Sequence, residues 1–217
     1  MFYSGWLDIF ASAGGVSIQE SIHNKMKLKD EWNQLTKSIE KLRIESADKD
    51  LSDNLLDLLV AGEDHRFWSH FGVDPIGLVR ATWKTIFCNK REGGSTIAMQ
   101  LVRTVTGRYE ISSQRKLKEI YLATKITLTL ERKEILKLYL NVAYFGWNMH
   151  GIDQACKRLE LDMTSLTNYE AAGIVARLKY PEPRFGNSKS FRAVHQRASY
   201  IVNRFNQLNS KGQYGTI

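Results

Sequence analysis

The stretch Glu63-Asp64-His65-Arg66-Phe67-Trp68-Ser69-His70-Phe71-Gly72 packs two carboxylates, two imidazoles, a guanidinium and three aromatic rings into a short span. A carboxylate set among apolar rings loses part of its hydration and becomes a competent general base. The plain alternative is a pair of surface acids at a helix end with core aromatics behind them. A second stretch, Gly93-Gly94-Ser95-Thr96-Ile97-Ala98-Met99-Gln100-Leu101-Val102-Arg103, places glycines and hydroxyls at a helix start. Backbone N–H groups exposed there suit a phosphate. The stretch is not a P-loop, because it lacks the Gly-Lys-Ser/Thr ending. A third, Arg115-Lys116-Leu117-Lys118-Glu119, sets Arg115 and Glu119 four apart, on one helix face. Taken alone, that pair is an exposed ion pair of little energetic worth. Two further stretches, Arg132 to Asn141 and Tyr144-Phe145-Gly146 followed by Gly151, carry no chemistry singly.

The elements that must position these residues read as helices. Trp32, Leu35, Ile39 and Leu42 form an apolar stripe within a Lys- and Glu-rich segment from Ile18 to Glu45. Ser52 caps a short helix through Leu55, Leu56 and Leu59 that ends near Glu63. Asp74-Pro75 opens the next, through Ile76, Val79, Trp83 and Ile86. Ser95 is placed to cap a helix through Ile97 and Leu101, and Ser112 or Ser113 one through Leu117, Ile120 and Leu128. Thr167 with Glu170 makes a capping box, and Phe191, Val194, Ala198, Ile201, Phe205 and Leu208 form a closing stripe. Strand signals are weak: Thr124 to Leu130 is β-branched but its context is helical. Gly107 to Ser113 reads as the loop between two helices. The fold class is mainly α, with an N-terminal helical arm over residues 1–50 and a compact domain over 51–217.

Composition narrows the function. The 217 residues hold 31 Lys and Arg against 23 Asp and Glu, a net charge of +8, which favours an anionic partner without choosing one. Cys88 and Cys156 are far apart in sequence and form no CxxC, so two buried thiols are the expectation. His65 and His70 lack HExxH spacing, which argues against a protein-ligated zinc, and no recognised module points to nucleic acid. No apolar run is long enough to cross a bilayer, and Met1 to Val16, interrupted by Asp8, makes a poor signal peptide.

Taken in order, the five stretches resemble the peptidoglycan glycosyltransferases, glycosyltransferase family 51. The family pattern Glu-Asp-x-x-Phe-x-x-His-x-Gly matches Glu63, Asp64, Phe67, His70 and Gly72, and Gly-x-Ser-Thr-Ile-x-x-Gln matches Gly93, Ser95, Thr96, Ile97 and Gln100. Arg-Lys-x-x-Glu matches Arg115, Lys116 and Glu119. The fourth motif falls on Ile135, Leu136, Tyr139, Leu140 and Asn141, and the fifth on Tyr144-Phe145-Gly146 with Gly151. The match runs from Ala61 to Asn187 and resembles a stand-alone form without a transpeptidase domain.

The resemblance implies a lysozyme-like helical fold that polymerises lipid II into β-1,4 glycan strands with inversion and release of undecaprenyl pyrophosphate. It implies that Glu63 takes the proton from the acceptor 4-hydroxyl. Glu119 assists the leaving pyrophosphate, directly or through a divalent cation, Mg2+ or Mn2+. By the same resemblance Asp64, Arg66, Phe67, His70, Gly93, Ser95, Thr96, Gln100, Arg103, Arg115, Lys116, Asn141 and Tyr144 are expected to bind substrate. Developing charge on a diphosphate calls for cations and oriented N–H donors, which Arg66, Arg103, Arg115 and Lys116 can supply. The implied partners are lipid II, the growing glycan chain, a membrane surface and a membrane-anchored protein, with no nucleic acid. The implied location is the outer, periplasmic face of the bacterial cytoplasmic membrane.

Four positions depart from the family pattern: Arg103 and Arg132 stand where lysine is usual, Met99 where glutamine is, and Thr104 where asparagine is. Arg exchanges a compact charge for a planar fork, so phosphate geometry changes with it. Family members usually carry an N-terminal membrane anchor; none is expected here, and the Lys-rich arm from His23 to Lys49 reads first as a solvated helix, with contact to a membrane or a protein partner as the alternative. A muramidase-like glycosidase and an inactive lipid-pyrophosphate scaffold are the competing possibilities.

Overall fold

The computed structural model describes residues 18–47, 49–87 and 93–210; the start from Met1 to Val16, Cys88 and Glu92 lie outside them. In chain order the helices are α1 (Ile18–Glu45), α2 (Asp53–Glu63), α3 (Pro75–Phe87), α4 (Ile97–Thr106), α5 (Ser113–Thr129), α6 (Arg132–Val142), α7 (Ile152–Leu159), α8 (Asn168–Lys179) and α9 (Ser188–Asn209). A 3-10 turn, Phe67–Ser69, follows α2. A small antiparallel hairpin of β1 (Tyr144–Gly146) and β2 (Met149–His150) sits between α6 and α7. The fold is mainly α, as its apolar periodicities predict.

Helix α2 is the central element. Leu55, Leu56, Leu58, Leu59, Val60 and Ala61 are all buried, so the helix is apolar nearly all round and must be covered by neighbours. Helices α8 and α9 cover it on one side and α6 on another. Helix α4 packs against both α5 and α6, through Ile97, Ala98, Met99, Leu101 and Val102.

Caps fix where the helices begin. Ser52 accepts from Leu55 N, Ser112 from Arg115 N, and Thr167 with Glu170 closes a capping box. Thr96, not Ser95, caps α4, its hydroxyl accepting from Met99 N at 3.2 Å. The shift by one residue frees the Ser95 hydroxyl for another partner. The segment Thr124 to Leu130 continues α5 as far as Thr129, because Ile126 and Thr127 are needed on its buried face.

The arm helix α1 reaches into the core. Leu35 and Ile39 are buried, Arg43 pairs with Glu134 on α6, and Lys49 donates to Asn141 Oδ1 at 2.8 Å. Helix α3 does the reverse. Of its expected residues Ile76, Val79, Trp83 and Ile86, the first three are exposed, as is Phe87, while Ala81 on the other side is buried; the Ile86 side chain lies outside the described residues. Among the described residues no helix is long and apolar enough to cross a membrane.

Candidate active site

The site is built along one face of α4. Gln100 and Arg103, three apart, project together. Gln100 donates to Glu63 Oε2 at 3.4 Å, and its own Oε1 accepts from the Tyr139 hydroxyl at 2.6 Å. Arg103 lines a cleft with Arg108, Arg115, Lys118 and Glu119. Burial pushes the Tyr139 phenol far above the usual range, the charge of Glu63 adds to that, and Arg103 opposes it.

Glu63 is the last residue of α2, half-buried, and held from two directions. Besides Gln100, Arg197 on α9 donates to Glu63 Oε1 at 3.3 Å and to the Gly62 carbonyl at 2.5 Å. The environment therefore differs from the apolar cage expected from sequence. Phe67 is fully buried in the core, and the groups that touch the Glu63 carboxylate are an amide and a guanidinium.

Glu119 is the opposite case. It is buried, and both oxygens are taken: Arg115 Nη1 donates to Oε2 and Lys116 Nζ to Oε1 at 2.9 Å. Lys116 also donates to Ser95 Oγ at 2.8 Å, which joins the glycine-led start of α4 to the acidic end of the site. Burial lowers the Lys116 ammonium below its ordinary value; the Glu119 hydrogen bond works against that, and nearby Arg103 and Arg115 add to it. Two carboxylates in different settings, one on an amide and a guanidinium and one clamped by cations, suit different roles.

Several residues expected to meet substrate have partners within the protein itself. Asp64 is buried; His70 Nε2 donates to both its oxygens at 3.0 Å, and Ile97 N donates to Oδ2 at 3.1 Å. Asp64 thereby pins the first turn of α4 to the loop after α2. Thr96 is buried too, donating to the Gly72 carbonyl at 2.6 Å. Phe67 is closed off from solvent by the ring of Trp68 and the guanidinium of Arg132. Arg66 faces Asp74 at 3.5 Å. Asn141 lies about 200° around α6 from Tyr139, given 100° per residue, and bonds Lys49 and the Lys137 carbonyl instead. Tyr144 is exposed and stacks on His150. Gly93 has open space around its Cα. Of the substrate-binding set, Ser95, Gln100, Arg103, Arg115 and Lys116 are the ones gathered about the two glutamates.

Gly72 has a conformational reason to be glycine. Its φ is +87°, and a Cβ there would stand 2.4 Å from the Ala123 carbonyl oxygen. The loop after α2 passes this close to α5, and that closeness lets Thr96 reach the Gly72 carbonyl.

Arg197, Tyr139, Arg108 and Lys118 were not singled out from sequence as site residues. Arg197 carried a signal: it sits at position i+3 from Val194 in the stripe that α9 buries, where an arginine must have a partner. Tyr139 likewise lies on the buried side of α6 with a hydroxyl to satisfy.

A divalent cation fits Glu119 poorly, since both of its oxygens already accept from cations. Among the described residues no three His, Cys, Asp or Glu side chains gather to hold a metal ion.

The chain is thus a helical domain in which two carboxylates are served by one helix face, one of them on a cation-lined wall. The family model described as Transglycosylase matches residues 31–206, and this chain belongs to that family. Similar proteins include penicillin-binding protein 1A of Aquifex aeolicus, 38% identical over 123 residues, covering 56% of this chain and 17% of that protein. Penicillin-binding protein 1A of Rickettsia typhi is 33% identical over 156 residues, 70% of this chain and 20% of the relative. The protein of the same name from Escherichia coli is 38% identical over 119 residues, 54% and 14%. The chain thus spans a fifth or less of the length of these relatives.

Proposed function

We propose that this chain is a peptidoglycan glycosyltransferase that extends a glycan strand with lipid II at the outer face of the cytoplasmic membrane. The observation that carries this reading is the pair of glutamates at either end of the Gln100–Arg103 face, one held by an amide and Arg197, the other clamped by Arg115 and Lys116.

Glu63 takes the proton from the acceptor 4-hydroxyl as that oxygen attacks the anomeric carbon of the donor. The bond from that carbon to the pyrophosphate breaks, its electron pair leaves with the diphosphate, and the configuration inverts. Arg103, Arg108 and Lys118 line a cleft with Glu119, where their charges would draw the departing diphosphate. Glu119 keeps Arg115 and Lys116 fixed, so the wall is organised before the charge arrives.

The stripe on α3 supports the membrane part of the reading. Ile76, Val79, Trp83 and Phe87 are exposed at 57%, 70%, 60% and 65%, and Phe71 in the loop before α3 at 68%. An exposed apolar helix face of this kind fits the acyl boundary of a bilayer, where the lipid substrate also resides.

Purified lipid II and finished peptidoglycan, each incubated with the protein, test the reading. Polymer from lipid II is the expected result. Fragments from peptidoglycan with no polymer from lipid II would identify a glycosidase, and binding of lipid II without turnover a scaffold.

A further inference from the structure

We propose that Glu31, on the N-terminal helix α1, is a positioning residue that holds Arg108 and Lys118 together as a paired cation site for the diphosphate; the role assumes the glycosyl-transfer reading above. Glu31 lies on the stripe that also carries Leu35 and Ile39, four and eight positions on, both buried. It is itself buried, at 7% exposure, an unusual place for a carboxylate on a helix whose other face is rich in charge. A single oxygen, Oε1, accepts from Lys118 Nζ at 2.8 Å and from Arg108 Nη1 at 3.0 Å.

Three features give the contact a role beyond packing. First, Arg108 and Lys118 both line the cleft that contains Glu119 and Arg103. Second, sharing one oxygen keeps the two cationic nitrogens within about 6 Å of each other, where like charges repel without the carboxylate between them. Third, each cation spends only part of its donor set on Glu31: a guanidinium has five N–H groups and an ammonium three. Among the described residues the remaining donors carry no hydrogen bond, which leaves them for an anion. Burial alone would push the Glu31 carboxyl up, but the hydrogen bonds and charges of Lys118 and Arg108 hold it below the ordinary value. Oε2 has no hydrogen-bond partner among the described residues, so the carboxylate is spent on these two cations alone.

Glu31 cannot swing aside as a competitor for the cations, because Leu35 and Ile39 fix its helix in the core. It acts as a fixed counter-charge that gathers one cation from the loop after α4 and another from α5.

Titration calorimetry of the full chain with inorganic pyrophosphate tests this without any turnover. Glu31→Gln keeps the size and loses the charge. Its pyrophosphate affinity is expected to fall about tenfold, the equivalent of one charge-assisted hydrogen bond. Glu134→Gln removes a different ion pair that ties α1 to the domain, with Arg43, and is expected to leave pyrophosphate binding unchanged. Equal or tighter binding by Glu31→Gln overturns the proposal, the tighter case marking Glu31 as a competitor for the anion. Wild type that binds no pyrophosphate overturns it as well, even if it polymerises lipid II. Should Glu31→Gln fail to fold, Arg108→Gln decides: its pyrophosphate affinity must fall, and unchanged affinity refutes the paired site. Failure of lipid II polymerisation with intact pyrophosphate binding counts against the proposed reaction and leaves this assignment standing.

Discussion

Replacing Asp64 with alanine separates a residue that frames the site from one that touches substrate. Two buried donors, His70 Nε2 and Ile97 N, lose their acceptor at once. An unsatisfied buried donor costs about 1–3 kcal/mol, so the pair costs about 2–6 kcal/mol, with partial relaxation placing Asp64→Ala near 3 kcal/mol. A domain of this size loses roughly 2–4 °C per kcal/mol, so the midpoint should fall by about 6–12 °C. Asp64→Asn is milder, near 1.5 kcal/mol. One amide oxygen still serves Ile97, but the NH2 then faces the His70 nitrogen, and the other ring nitrogen is buried without a partner. Thermal and urea unfolding followed by circular dichroism measure both. Well below its midpoint, Asp64→Asn should keep its KM for lipid II within about threefold of wild type, since Asp64 faces inward. Asp64→Ala with wild-type stability and no activity would refute this reasoning and return Asp64 to the substrate.

Glu119→Gln should lower polymerisation by about 100-fold or more in a continuous lipid II assay, because Arg115 and Lys116 lose the charge that fixes them. Gly72→Ala should destabilise by at least about 2 kcal/mol in urea, from positive φ and the close Ala123 carbonyl together. The His65 imidazole is held below its ordinary value, by burial first and then by Arg204 and Arg80. The unfolded chain therefore takes up that proton near pH 6.5 before the folded one does, and stability should decline as pH falls below about 6.5, a decline that His65→Gln flattens in pH-resolved melts. Trp83→Glu should weaken sedimentation with anionic liposomes while shifting the midpoint by no more than about 2 °C, since the ring is exposed.

Local signals made the helices legible. Ser52, Ser112 and the Thr167–Glu170 box each cap where the sequence places them, and Pro75 opens α3. Periodicity alone could not say which apolar stripe is a core. The α9 stripe is buried from Val194 to Leu208, with Phe191 exposed, and the described α3 stripe residues are exposed, because burial depends on what packs opposite, and that is a tertiary fact. The site was legible as residue types in motifs, less so as roles. Asp64, His70 and Thr96 read as polar groups beside a glutamate, and only the three-dimensional path of the loop after α2 shows their hydrogen bonds closing inward. Arg197 lies 134 positions from Glu63 and joins it through the α2–α9 packing, so motif spacing could not reveal the contact. The pairing of Glu31 with Arg108 and Lys118 was hidden for the same reason, though its place on the 31, 35, 39 stripe marks it as inward-facing.

The central claim is that Glu63 removes the acceptor proton. The most direct measurement is the initial rate of glycan formation from purified lipid II by wild type and by Glu63→Gln, with matched midpoints confirming an intact fold. The account predicts polymer from wild type and a rate at least about 100-fold lower for the variant, the scale of a lost general base. Glu63→Gln forming polymer at the wild-type rate would contradict it.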